Sequence, residues 1–326
     1  MNIGFFIRHF TERGTEVATY DYAKYNEEIL HNKSYIICFT PEGQKAHFPG
    51  AMERYTYDKF KRFEIIEINH VNDMKEVIEK YNLSFFYSLT GGGNDIYQFG
   101  SNIWGKCKTI KHCVFHTTYP EGDFYISISD VLNQKNNTNL PVIPHIVDLP
   151  METDNLRNEL NIPEDAVVFG RYGGSDQFNI KMAHDAIKEC LDQEENMNIY
   201  FLFMNTDHFY EHPRIIYLDR NVELQYKAKF INTCDAMIHA REMGETFGLS
   251  VGEFSIKNKP IITCKCGDLE HVNILGDKAI LYHSKEELVN IFKNIKTIIS
   301  SRNDWTSYDF SPAYVMSLFK AIFDTH

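Results

Sequence analysis

The residues best suited to chemistry lie in one stretch, His239-Ala-Arg-Glu-Met-Gly-Glu-Thr-Phe-Gly-Leu-Ser-Val-Gly-Glu253, directly after the apolar run Ala236-Met-Ile238. Glu245 and Glu253 are separated by seven residues, with Phe247, Gly248 and Leu249 between them. Gly244 and Gly248 permit a tight turn and close backbone approach, and a helix is predicted to open near Leu249. The free N–H groups of a helix start suit an anionic phosphate. A carboxylate in the second turn, Glu253, can accept hydrogen bonds from the two hydroxyls of a ribose, and Glu245, in the loop, would face the sugar end of such a ligand. Arg171 closes a second apolar run and precedes Gly173-Gly174, where its guanidinium can clamp two phosphate oxygens; a surface salt bridge is the plainer alternative.

Other candidates carry less chemistry. His116 closes the apolar run Cys113-Val-Phe and reads either as a satisfied core histidine or as a cleft residue. Gly91-Gly-Gly-Asn94 has neither the Lys-Ser/Thr of a P-loop nor dinucleotide-fingerprint spacing, so it reads as a flexible turn or a sugar-contacting loop. The histidines show no zinc-ligand spacing, no Gly-x-Ser-x-Gly elbow is present, and the C-x-C of Cys264 and Cys266 has no second cysteine pair near it. Neither a metal nor a cofactor is expected.

Two successive α/β halves must position these groups. Apolar runs at 2–7, 34–39, 64–68, 84–89, 112–116 and 124–128, then at 166–170, 199–203, 215–218, 236–239, 260–263 and 279–282, alternate with helical patterns, as parallel sheets require. Helices are expected over 15–30, 73–81, 154–160, 181–191, 222–233, 249–256, 285–298 and 313–323, the helix at 285 opening with a Ser284/Glu287 capping box. The proline-bounded Pro141-Val-Ile-Pro144 and Leu149-Pro150 mark a boundary, giving domains of residues 1–150 and 151–307, with a helix at about 308–326 that packs back on the first. Ligands bind outside the carboxyl ends of such strands. With 326 residues and a net charge of −12, the chain is large enough for two cores and too acidic for a nucleic-acid backbone footprint. Seven scattered cysteines and no recognisable leader suggest reduced thiols and a cytoplasmic setting; no apolar stretch is long enough for a membrane span, though peripheral association stays open.

The segment from Glu245-Thr-Phe-Gly-Leu to Glu253-Phe-Ser, followed by Lys259-Pro-Ile-Ile-Thr263, resembles the E-x7-E signature of GT-B glycosyltransferases, especially the retaining family four. Val168-Phe-Gly-Arg171 resembles the strand whose Arg contacts the donor diphosphate, and Ile143-Pro-His-Ile-Val-Asp148 resembles the interdomain linker. Arg13-Gly14-Thr15-Glu16 occupies the loop where family members carry glycines facing the bound sugar. The resemblance departs at Asp176, where a Lys is usual, with Lys181 the nearest substitute, and at His145 and Ile146, where Asn and Gly are usual.

The resemblance implies two Rossmann-like domains with parallel sheets facing across a cleft, and a hexosyltransferase-like enzyme. Its donor would be a UDP- or GDP-linked sugar, its acceptor a glycan, lipid or protein hydroxyl, and its action retaining and metal-independent. Catalysis would fall to Glu245, His116 and Arg171. Donor binding would involve Arg171, Gly173, Lys181, Phe247, Gly248, Leu249, Glu253 and Gly14. A nucleotide-sugar epimerase of the same fold and a non-catalytic nucleotide-sugar-binding protein are the rival readings.

Overall fold

The computed structural model describes residues 1–11, 13–48, 54–97, 99–193 and 198–324. The chain forms two compact units, Met1–Ile146 with Phe310–His326, and Val147–Asp309. Each is built on a six-stranded parallel sheet.

In the first unit, β1 (Asn2–Ile7), β2 (Lys33–Phe39), β3 (Glu64–Ile68), β4 (Phe85–Thr90), β5 (Lys108–Cys113) and β6 (Phe124–Ser127) pair in the order β3-β2-β1-β4-β5-β6. Strands covered on both faces read as continuous apolar runs, which is why Gly4-Phe-Phe-Ile7 and Phe85-Phe-Tyr87 are buried throughout. Helices α1 (Gly14–Glu28), α2 (Pro41–His47), α3 (Met74–Tyr81), α4 (Asp130–Asn136) and α10 (Pro312–Asp324) accompany them. Although α10 comes last in sequence, its Phe319 meets Phe5, Tyr22 and Tyr87, and its Phe323 lies 4.7 Å from Phe85. Tyr22, fully buried, donates from its hydroxyl to the Pro144 carbonyl at 2.7 Å and so ties α1 to the chain leaving the sheet.

The second unit repeats the plan. Strands β7 (Val167–Tyr172), β8 (Ile199–Met204), β9 (Ile215–Leu218), β10 (Ala236–Ile238), β12 (Ile261–Thr263) and β14 (Ala279–Leu281) pair in the order β14-β12-β10-β7-β8-β9. A separate ribbon joins β11 (Gly244–Glu245) to β13 (Asp268–Leu269). The helices are α5 (Lys181–Asp192), α6 (Leu224–Thr233), α7 (Leu249–Ile256), α8 (Glu270–Leu275) and α9 (Lys285–Ser300). Ser284 caps α9, accepting from the Glu287 N–H at 3.1 Å, while the Glu287 carboxylate accepts from the His283 N–H. The face so fixed buries Phe292 against Phe169 and Phe201.

Two expected elements differ. The strand expected at 112–116 is β5, Lys108–Cys113, and Phe115 and His116 lie beyond its end, exposed. Its pattern is hidden by Lys111, a fully buried cation whose Nζ donates to the carbonyls of Gly93 (2.8 Å) and Tyr119 (3.0 Å). The same ammonium pins the Gly91-Gly-Gly loop, so that segment is a held loop. The helix expected at 154–160 is a set of turns. Side chains take its backbone donors: Thr233 accepts from Leu156 N–H, and Asn155 from Arg157 N–H. The Arg157 guanidinium meanwhile binds the carbonyls of Pro163 and Ala166 and the Asp235 carboxylate.

Two buried imidazoles sit together in the first unit, His112 and His145, with ring centroids 6.4 Å apart. Burial holds both below the usual histidine range, His145 at about 3. Folding thus favours their neutral forms. Below about pH 6.5 the unfolded chain takes up protons that the folded unit refuses, so their stabilisation is complete above about 6.5 and falls away toward 3. The melting temperature should decline as pH is lowered through that window, and His145→Gln should flatten the decline; an unchanged slope in the variant would refute the assignment.

Candidate functional site

The strand order of the second unit reverses between β7 and β10, and the carboxyl ends of those strands are where an α/β sheet opens for a ligand. Arg171, near the end of β7, and His239, the first residue past β10, meet there. Together with Tyr172, Gly173, Gln177, Ala240, Arg241, Glu245 and Ser250 they line one depression.

Glu245 is its centre. His239 Nε2 lies 3.3 Å from Oε1 and Arg241 Nη1 donates to Oε2 at 2.7 Å. Burial alone would raise this carboxyl, but His239 and Arg241 hold it down to about 2, so it is an anion at any ordinary pH. A carboxylate offers about four lone-pair positions, and these two donors leave room for ligand hydroxyls. The loop that presents it depends on two glycines. Gly244 has φ +62, and a Cβ there would lie 2.1 Å from the Asp268 carbonyl across the β11–β13 ribbon. Gly248 has φ +84 and starts α7 without a side-chain cap, leaving the first N–H groups of that helix free of one.

Arg171 is 5% exposed. It donates to Thr206 Oγ1 (2.6 Å) and to the carbonyls of Gly174 (2.8 Å) and Asn205 (3.2 Å). Burial lowers it to about 10, partly offset by Glu245, so it stays cationic at neutral pH. Gly173 packs against this guanidinium, where a Cβ would come within 2.9 Å of Nη2. Two guanidiniums against one carboxylate leave the depression positively biased, as an incoming diphosphate needs.

Of the residues read from the sequence, Arg171, Gly173 and Glu245 line this depression. Gly248 and Leu249 form the start of α7 beside Glu245, and Phe247 is buried, its carbonyl accepting from the Tyr308 hydroxyl at 2.6 Å. Glu253 is 3% exposed, and both oxygens are engaged, one by the Tyr172 hydroxyl and one by Lys227 Nζ at 2.7 Å. Lys181 is exposed and paired with Asp185, apart from the depression, so Arg241 stands as the second cation beside Arg171. Gly14 and His116 belong to the first unit. Gly14 opens α1 with empty space where a side chain would project, and His116 is exposed after β5, its N–H donating to the Gly91 carbonyl at 2.9 Å. Sequence reasoning passed over the site roles of His239, Tyr172 and Lys227. For His239 the signal was present, since it is the first residue after an apolar strand. No group of residues suited to hold a metal ion occurs among the described residues. Nor is any helix among them long and apolar enough to cross a membrane.

The chain matches no family model and no curated protein. Solved structures do share its fold. Anabaena Alr3699/HepE, a structure in complex with UDP and glucose, aligns over 100% of both chains at 13% identity and a TM-score of 0.71. A glycosyltransferase from Rickettsia africae ESF-5 aligns over 99% of this chain and 97% of its own at 14% identity and a TM-score of 0.67. The sucrose-phosphate synthase of Thermosynechococcus elongatus aligns over 100% of both chains at 12% identity and a TM-score of 0.69. The fold is thus the α/β architecture of the GT-B glycosyltransferases.

The Glu253–Lys227 pair gives a direct stability test. Lys227→Met strands a buried carboxylate and should cost about 3–5 kcal/mol in denaturant unfolding. Adding Glu253→Gln should recover most of that loss; a single variant as stable as the parent would show that the pair is not formed in solution.

Proposed function

We propose that this chain is a glycosyltransferase moving a sugar from a nucleotide-diphosphate sugar to a hydroxyl acceptor. The observation carrying the reading is the meeting of Arg171, Arg241 and the ionised Glu245 at the switch point of the second sheet, beside the start of α7. Departure of a nucleoside diphosphate builds negative charge, and two guanidiniums with free helix N–H groups are placed to stabilise it. They supply positive charge that a divalent cation would otherwise bring, which supports a metal-independent transfer. Glu245, unable to hold a proton near neutrality, is assigned to hydroxyls of the transferred sugar rather than to proton transfer. For Glu253 a ribose contact would draw on the lone pairs that Tyr172 and Lys227 leave open.

UDP is the preferred nucleotide because HepE, which shares the fold, was captured with UDP-glucose. We assign the donor to the second unit and the acceptor to the first, where His116 is exposed beyond β5 and Gly14 opens α1. Retention of configuration rests on the likeness of Glu245 through Glu253 to the E-x7-E signature.

Calorimetric titration with UDP, GDP and their glucose conjugates tests the reading. One nucleotide family should bind. Arg171→Ala should weaken both the diphosphate and its sugar about ten- to a hundredfold, while Glu245→Gln should weaken only the sugar conjugate. Incubation with donor alone separates the rivals, since an epimerase converts the sugar without an acceptor. Absence of binding by every nucleotide and sugar conjugate would overturn the proposal.

A further inference from the structure

A buried polar chain runs away from Glu245 into the second unit. His239 Nε2 faces Glu245 Oε1, His239 Nδ1 lies 2.9 Å from Thr263 Oγ1, and Thr263 Oγ1 lies 3.0 Å from His271 Nε2. The adjacent parallel strands β10 and β12 end side by side, which places His239 beside Thr263, while α8 carries His271 over both. Thr263 and His271 are fully buried, and His239 is 5% exposed. None of the three was needed for the chemistry assigned above except His239, and that only as a neighbour of Glu245.

The hydrogens in this chain can be placed by counting donors. His271 is held neutral by burial, at about 3, so its ring carries one hydrogen. Among the described residues, His271 Nδ1 has no hydrogen-bond partner. A buried N–H without an acceptor is costlier than a lone pair without a donor, so the hydrogen sits on Nε2 and is donated to Thr263 Oγ1. The Thr263 hydroxyl must then send its own hydrogen elsewhere. His239 Nδ1 at 2.9 Å is a better acceptor than the Cys264 carbonyl at 3.4 Å. In a ring that carries one hydrogen, an accepting Nδ1 leaves that hydrogen on Nε2, pointing at Glu245. The opposite tautomer would set a lone pair against an ionised carboxylate and leave the Thr263 hydrogen to the long contact.

We infer that His239, Thr263 and His271 form a positioning relay that fixes the direction of the Glu245 carboxylate and thereby gives the site its selectivity for the sugar-bearing donor over the bare nucleotide. The inference rests on the function proposed above and deepens it by assigning the residues through which Glu245 acts. Arg241 holds the other oxygen at 2.7 Å from its own loop, but it is 14% exposed and flexible in length, whereas the relay is anchored in two strands. The relay therefore sets orientation and Arg241 adds charge. Thr263 does not itself line the depression and hydrogen-bonds the lining residue His239, so its effect on ligand passes through that imidazole.

Two measurements on the full chain decide it. In protein with ¹⁵N-labelled histidine, long-range ¹H–¹⁵N spectra, assigned with His239→Gln and His271→Gln, should place the hydrogen of both rings on Nε2. Thr263→Val should move the His239 Nδ1 resonance toward that of a lone pair without a donor, and Thr263→Ser should restore it. In parallel, the ratio of UDP-glucose to UDP affinity should fall about tenfold in Thr263→Val and return in Thr263→Ser, with UDP affinity itself unchanged. A wild-type spectrum with a hydrogen on His239 Nδ1, alone or together with one on Nε2, overturns the relay without any variant having to fold. So does a Thr263→Val protein that keeps both spectrum and affinity ratio. If the wild type binds neither UDP nor UDP-glucose, the proposed function fails and the selectivity with it, while the spectra still show whether the hydrogen-bond chain exists.

Discussion

An ionised carboxylate removed from most of the solvent must be compensated, and the segment linking β10 to α7 is organised around that requirement. Glu245 is matched by an imidazole from the strand end and a guanidinium from the intervening loop. To bring both within reach the backbone has to double back tightly, which the left-handed Gly244 and Gly248 allow. The β11–β13 ribbon then closes the turn against Asp268 and Leu269. Remove the charge and there is little reason for this loop to take its path; with the charge in place, the depression beside Arg171 follows.

The first unit shows the same strategy with the opposite sign. Lys111 is fully buried within β5, its ammonium shared between two carbonyls and lying 3.7 Å from Asp95 and 3.5 Å from Glu121. Asp95 in turn accepts from Arg8, just past β1, and from Thr90 at the end of β4. Thus in the first unit Asp95 joins the ends of β1 and β4, where the strand order reverses, to Lys111 on β5, and in each unit a compensated charge stitches segments from separate strands together. Such networks specify a single arrangement of loops whose sequences have no strong preference of their own.

The sequence disclosed whatever is local. Parallel strands announce themselves as apolar runs, and the loop before α7 carries Gly244 and Gly248 in the open. Arg171 could be read because it directly follows such a run. What stayed hidden depends on residues far apart in the chain. The partner of Glu253 is Lys227, 26 residues earlier on α6, and the partner of His239 is Thr263, 24 residues later on β12. Strand β5 was misplaced because a lysine in its centre looks solvent-facing until Asp95 and Glu121 are brought to it. The two-residue strands β11 and β13 are too short to leave a period of any kind. Residues 154–160 have helical composition, but their backbone donors are claimed by Asn155 and Thr233.

Helix α10 supplies Phe319 and Phe323 to the aromatic floor formed by Phe5, Tyr22, Tyr87 and Phe85. Residues 147–309 intervene between that floor and the helix that covers it. During translation the ribosome therefore releases six strands with an open apolar face long before their cover exists. The second unit, contiguous in sequence, can finish folding first. Until α10 emerges, the aromatic floor of the first unit lacks this cover, so that unit begins before the second and can be completed only after it.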